Sequence, residues 1–259
     1  MPGFESLQPA VIAWAVAVIA LAGIIHGALG LGFPIVATPL IALVTDMRTA
    51  IILILLPCMA AVIASIVKGR GLRAVLIEFW PMPIYMFVGA SIGTRLFIAH
   101  PDAPYALLLA LLVVVYLNLD RFGATDWPLL KKHRRPFGAV FGVMAGIFEG
   151  STNAAAPPLV MYFLALSLSP TAMVQALNIC FITGKTTQFA TMATMGGVTL
   201  TQWLATLPLS AIAAVTVLAG IRIRGRVDAL TYRRWLKHAL SVIALLLLAQ
   251  YAYVTWLKA

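Results

Sequence analysis

Apolar runs fill most of the chain, at about residues 10 to 26, 34 to 45, 49 to 67, 74 to 97, 104 to 119, 137 to 149, 154 to 166, 171 to 191, 201 to 221 and 236 to 257. A helix needs about 20 residues to cross a bilayer, so the shortest of these runs cannot cross alone. Each short run has a neighbour: 10 to 26 goes with 34 to 45, and 137 to 149 with 154 to 166. Gly27-Ala-Leu-Gly-Leu-Gly-Phe-Pro34 separates the first pair. Glu149-Gly-Ser-Thr-Asn153, followed by Pro157-Pro158, separates the second. Both read as helix-breaking turns.

Composition turns this pattern into a fold class. With 62% hydrophobic and 10% charged residues over 259 positions, the chain is too apolar for an ordinary soluble domain. Eighteen Lys plus Arg against eight Asp plus Glu give a formal charge of +10, which in a soluble protein would point to nucleic acid. Here fourteen of the cations sit in three short regions: Lys68 to Arg73, Arg121 to Arg135 and Arg222 to Lys237. Such loops belong on the cytoplasmic side, where they can also touch anionic lipids, so no nucleic-acid partner is expected. Cys58 and Cys180 lie in apolar helices and read as core residues. The opening Met1-Pro-Gly-Phe-Glu5 has no basic stretch before its apolar run, so no cleavable signal peptide is expected.

The chain also resembles itself. Pro39-Leu40 matches Pro158-Leu159 at an offset of 119, Thr49-Ala50 and Cys58 match Thr171-Ala172 and Cys180 at 122, and Gly93, Arg95 and Tyr105 match Gly220, Arg222 and Tyr232 at 127. The shared order and the shared breaks favour duplication. Equivalent loops carry opposite charge character: 68 to 73 is basic whereas 192 to 200 is uncharged, and 98 to 104 is poor in cations whereas 222 to 234 is rich in arginine. The expected fold is therefore an all-α polytopic integral membrane protein of two inverted-topology repeats, each a broken or re-entrant helix pair plus three transmembrane helices. The first repeat would take residues 1–120, a basic cytoplasmic linker 121–135 and the second repeat 136–259. Both termini would then be extracytoplasmic.

Candidate chemistry concentrates in the second half. Lys185 lies inside an apolar run, where a central cation costs roughly 2.5 to 3.5 kcal/mol and faces a protein interior or wet cavity. At about 100° per residue Asn178 lies nearly on its meridian, with Gln175 and Gln188 to either side. An offset of 122 puts Leu53, Leu56, Ile63 and Ile66 at these positions of the first half, so recognition should rest on the second. The broken helices beginning near Pro34 and Ala154 would aim free N–H groups into the protein, where they attract anions. Gly30 and Gly32 would allow close approach at the first break, and Ser151, Thr152 and Asn153 would supply donors at the second.

Plainer roles stay open for each. The glycines can be packing residues, the Ser-Thr-Asn run an ordinary cap, Asn178 and the glutamines interhelical hydrogen-bonders, and Lys185 a satisfied partner of Glu149. If that pair opens, an arriving anion could take Lys185 while Glu149 takes up a proton, which makes Glu149 a candidate proton carrier. His26, before the first break, is a second candidate carrier or a packed histidine. Glu78, near Arg73 in an early helical turn, and Arg95 and Arg222 at helix ends read as electrostatic fits, and the tryptophans as interfacial anchors.

The stretches Gly30-Leu-Gly-Phe-Pro34 to Pro39-Leu40 and Glu149-Gly150 to Pro158-Leu159, one in each half, resemble the TauE/SafE family of sulfite and organosulfonate exporters. Phe33-Pro34 and Ser151-Thr152-Asn153 replace parts of that family's glycine clusters. The resemblance implies a secondary transporter in a bacterial inner membrane that exports a small anion such as sulfite, sulfoacetate or a related organosulfur or organic acid. Proton coupling is expected, no cofactor or metal is expected, and a homo-oligomer is allowed. Enzyme motifs are lacking: Gly184-Lys185-Thr186 copies only the end of a phosphate-binding loop, and the four histidines are scattered. The alternative is an anion channel or a non-transporting membrane subunit that binds a partner.

Overall fold

In the computed structural model, the described residues are 8–118, 127–195 and 198–223, together with Ser241, Leu245, Leu248 and Ala249. They form α1 (Pro9–Leu29), α2 (Phe33–Ala42), α3 (Met47–Lys68), α4 (Leu72–Phe79), α5 (Pro81–Ala99), α6 (Tyr105–Leu117), α7 (Pro128–Lys132), α8 (Arg134–Thr152), α9 (Ala156–Ala165), α10 (Pro170–Thr194), α11 (Leu200–Ala205) and α12 (Leu207–Ile223). The expected all-helical class holds over these residues, which contain no strand. Four segments are long and apolar enough to cross a membrane: Pro9–Leu29, Met47–Lys68, Pro81–Ala99 and Leu200–Ile223. Helix α10 has the length, at 25 residues, and differs from them by its buried polar side chains. The final apolar run at 236 to 257, with Arg121, Arg224, Arg226, Arg233, Arg234, Lys237, Trp235 and Trp256, lies outside the described residues.

Caps mark the helix starts. Asp46 accepts from the Thr49 N–H at 3.0 Å to open α3. Ser169 accepts from the Ala172 N–H at 3.3 Å to open α10, where Pro170 adds its fixed φ. These caps are 123 residues apart, and so are the first residues of α2 and α9, Phe33 and Ala156. These features are spaced by 123 residues, where the sequence identities indicate 119 and 122. Pro39 lies well inside α2 while Pro158 lies in the first turn of α9, so these two prolines are not equivalent.

Two crossings dominate the packing, α1 on α12 and α8 on α5. Each is built on backbone approach. A Cβ on Gly27 would lie 2.1 Å from the Val217 carbonyl oxygen, and one on Gly150 would lie 2.6 Å from that of Ala90. From the other side, a Cβ on Gly220 or Gly93 would lie 2.2 Å from the carbonyl oxygen of Ile24 or Ile147 respectively. The matching residues are 123 apart on α1 and α8 and 127 apart on α12 and α5. Small residues spaced by four let membrane helices approach this closely, and dispersion and weak hydrogen bonding hold them there.

This packing changes the position of both breaks. Gly27 and Glu149 through Thr152 are helical: α1 continues to Leu29 and α8 to Thr152. The non-helical segments are 30 to 32 and 153 to 155. Two apolar runs read from the sequence as single helices are jointed instead. The run at 74 to 97 divides into α4 and α5 at Trp80, just before Pro81, and the run at 201 to 221 divides at Thr206, just before Pro208. A proline ring removes a donor and crowds the preceding turn, which accounts for both joints. Within the linker expected at 121–135, Pro128–Lys132 forms the short α7. The outer surface keeps large apolar side chains exposed, among them Val67, Ile77, Phe87 and Val215, as suits lipid contact.

Candidate functional site

The two breaks share one construction. Gly30 ends α1 with φ 80° and Asn153 ends α8 with φ 61°, both left-handed and 123 residues apart. The Gly30 N–H donates to the His26 carbonyl at 2.6 Å, and the Asn153 N–H donates to that of Glu149 at 3.1 Å. His26 and Glu149 are each buried and each four residues before the left-handed residue. Glycine takes this conformation without a Cβ penalty, and asparagine is the side chain that tolerates it best. At Gly30 a Cβ would also lie 2.4 Å from Val174 on α10. Gly32, with φ 110°, precedes α2 directly.

Helix α10 crosses both breaks. From Asn178 the side-chain amide donates to the Gly30 carbonyl at 3.1 Å and to Val174 O at 2.9 Å. Lys185 lies seven residues on, about 10 Å along the axis at 1.5 Å per residue, and has no solvent exposure. Its ammonium Nζ is 2.9 Å from Glu149 Oε1, and it donates to Asn153 Oδ1 at 2.5 Å and to Gln188 Oε1 at 3.0 Å. An ammonium has three protons, and three protein acceptors stand around this one. Gln188 Nε2 in turn approaches the Glu149 and Gly150 carbonyls at 3.2 Å and Asn153 Oδ1 at 3.1 Å. Glu149, Asn153 and Gln188 are themselves fully buried.

The second oxygen of Glu149 closes the arrangement. Oε2 accepts the Ala155 N–H at 3.2 Å, immediately before α9 begins at Ala156. A carboxylate thus occupies the place at a helix N-terminus where backbone donors and the helix dipole favour negative charge. Asn153 links this centre to the first half by donating from Nδ2 to Thr38 Oγ1 in α2 at 3.3 Å. The centre therefore joins α2, α8, α9 and α10.

Other expected residues stand elsewhere. The hydroxyls of Ser151 and Thr152 turn back onto the Ile147 and Phe148 carbonyls at 2.8 and 2.9 Å, as helix-interior hydroxyls do. They are members of the last turn of α8, not donors of an open loop. Gln175 Nε2 reaches the Ile66 carbonyl near the end of α3 at 3.4 Å, roughly 15 Å along α10 from Lys185. His26 packs edge-on to Phe33 with ring centroids 6.4 Å apart. The exposed Glu78 is 3.4 Å from Arg134 Nη1, where the sequence points to Arg73. At the 123 offset the sister positions of Gln175, Asn178, Lys185 and Gln188 are Ile52, Leu55, Val62 and Ser65, so the asymmetry persists with one small polar exception.

Sequence reasoning missed one contributor: Thr38 lies in an apolar helix with nothing to mark it until Asn153 meets it. The family model described as sulfite exporter TauE/SafE matches residues 15–250. No curated protein and no solved structure matches the chain.

Proposed function

The chain belongs to the sulfite exporter TauE/SafE family, and from that premise we propose that it exports a small anion by alternating access, holding the anion at the Lys185 centre. Membership of that transporter family, with several apolar helices of spanning length, makes it a multi-pass membrane protein. The observation that carries the proposal is the fully buried Lys185 ammonium, set where the second break meets α10 and already matched to a carboxylate. A buried cation of this kind marks an ion pathway more often than a stability device, since ion pairs in low dielectric gain little over apolar packing.

In this reading substrate replaces Glu149. The incoming anion takes the Lys185 ammonium and the Ala155 N–H, and Asn153 and Gln188 orient it through their amides. Gly30 and Asn178 hold the first break against α10, and Gly32 gives the chain its turn into α2. Ser151 and Thr152 contribute only if the last turn of α8 unwinds, and Gln175 tethers α3 to α10 instead of touching substrate. The displaced Glu149 carboxylate, left in low dielectric, takes up a proton, so anion and proton are coupled. His26, buried four residues before Gly30, is a second proton-carrying candidate. The two halves would run in opposite directions through a bacterial inner membrane, with basic loops cytoplasmic and both termini outside. The absence of solvent exposure at Lys185 favours a carrier with an occluded state over an open anion channel.

A thermal-shift screen of the purified protein against sulfite, sulfonates and small carboxylates tests this. Selective binding stabilises the native state by RT ln(1 + [L]/Kd), about 2.7 kcal/mol at a hundredfold excess over Kd. One of these anions should raise Tm in the wild type and not in Lys185→Ala. An equal rise in both would remove Lys185 from the binding site.

A further inference from the structure

The charge count at the centre limits what it can carry. Among the described residues, Lys185 and Glu149 are the fully buried cation and carboxylate, and each is the other's ionic partner. The ammonium pairs with Glu149 at 2.9 Å and donates hydrogen bonds to Asn153 and to Gln188, so three protein acceptors surround it. A ligand oxygen therefore has to displace one of them. Asn153 and Gln188 are also tied to each other and to the backbone of α8, whereas Glu149 has one further bond, to the Ala155 N–H. Displacing Glu149 is the only exchange that leaves neither a bare cation nor a surplus anion in the interior, provided the leaving carboxylate is neutralised.

We propose, resting on the anion-carrier reading above, that this site accepts one negative charge at a time, with Glu149 setting that limit and carrying one proton with each anion. In the empty state the ammonium faces the ionised carboxylate. In the loaded state it faces the anion, while the proton taken from the entry side sits on Glu149. Both states have no net charge, so neither leaves an uncompensated ion in low dielectric. When the anion leaves, Glu149 gives its proton to water on the exit side and returns to Lys185. Anion and proton move together, one for one, without net charge. Net export then follows the outward gradient of the anion combined with that of the proton.

A ligand with two charges breaks this scheme, because one of them stays uncompensated beside Lys185. Simple sulfonates and hydrogensulfite fit the site, and sulfate, sulfite dianion and sulfoacetate do not. Other groups near the centre do not supply the missing positive charge. Cys58 on α3 offers only a thiol, Thr94 on α5 beside Gly150 is neutral, and from α9 the Tyr162 hydroxyl is turned to the Arg134 carbonyl. Arg95 on α5 is exposed.

Ethanesulfonate and sulfoacetate form a matched test pair, sharing the sulfonate and differing by one carboxylate. The full chain in proteoliposomes, with internal pH and membrane potential followed by dyes, should carry ethanesulfonate at least roughly a hundredfold faster than sulfoacetate, given the cost of one uncompensated buried charge. Each ethanesulfonate should move one proton in its own direction, and potassium with valinomycin should leave the flux unchanged. Glu149→Gln should carry ethanesulfonate without protons and respond to voltage. Comparable flux of both anions, or wild-type flux that follows voltage, would overturn the single-charge limit while leaving the carrier reading intact. If neither they nor any other small anion moves, the carrier reading falls and this inference with it. The wild-type comparison decides alone, so the outcome does not depend on whether Glu149→Gln folds.

Discussion

Replacing Lys185 with methionine removes the ammonium and keeps most of the side-chain volume, so the change is chiefly electrostatic. Glu149 Oε1 loses its ionic partner, and Asn153 Oδ1 and Gln188 Oε1 lose their donor. Asn153 keeps a bond from Gln188 Nε2, and Glu149 keeps the Ala155 N–H. The Gln188 oxygen keeps none of the hydrogen bonds described here. Removing one partner of a buried ion pair costs about 3 to 5 kcal/mol and an orphaned buried acceptor about 1 to 3, so a loss of about 4 to 8 kcal/mol is expected with Glu149 ionised. Adding Glu149→Gln should recover all but about 1 to 2 kcal/mol, since a neutral amide keeps an acceptor for Ala155 and gains a donor for Gln188. Equilibrium unfolding in mixed detergent micelles, as a double-mutant cycle, measures both losses and their coupling. Additive losses would refute the account of the centre as a mutually neutralised pair.

The helix crossings and the second break give further expectations. Gly27→Ala and Gly150→Ala each place a methyl group against backbone, 2.1 Å from Val217 O and 2.5 Å from Thr94 N, and each should lower stability by about 1 to 3 kcal/mol in the same unfolding assay. Full stability in either variant would mean that the crossings are looser than described. Asn153→Gly keeps the left-handed backbone while losing the side-chain bonds, whereas Asn153→Ala loses both. Alanine should therefore be the less stable of the two by about 1 kcal/mol, and the reverse order in thermal unfolding would count against a strained cap at this position.

Lys185 was legible in the sequence because an apolar helix offers a lysine no indifferent place. Its neighbours Asn178 and Gln188 followed from helical geometry alone. Glu149 was legible as the ionic partner of Lys185, and the two lie 2.9 Å apart, whereas Gly30 as the partner of Asn178 was harder to see, because α10 meets the two breaks from opposite halves of the chain. Glycine misled in the same region. Gly27 and Gly150 read as breakers by propensity, yet in the tight crossings with α12 and α5 the missing Cβ is what lets the helices approach, and the helices run on past them. Ser151 and Thr152 then become helix-interior hydroxyls instead of loop donors. The joints at Trp80 and Thr206 were hidden by hydropathy that continues unbroken across them, although Pro81 and Pro208 mark both places.

The most direct test of the central claim is counterflow in proteoliposomes loaded with unlabelled ethanesulfonate, comparing wild type with Lys185→Met that has been shown to be folded. The wild type should accumulate labelled ethanesulfonate transiently and saturably, and the variant should accumulate none above protein-free vesicles. Counterflow of the same rate and saturation in Lys185→Met would contradict the assignment of the anion site to this lysine.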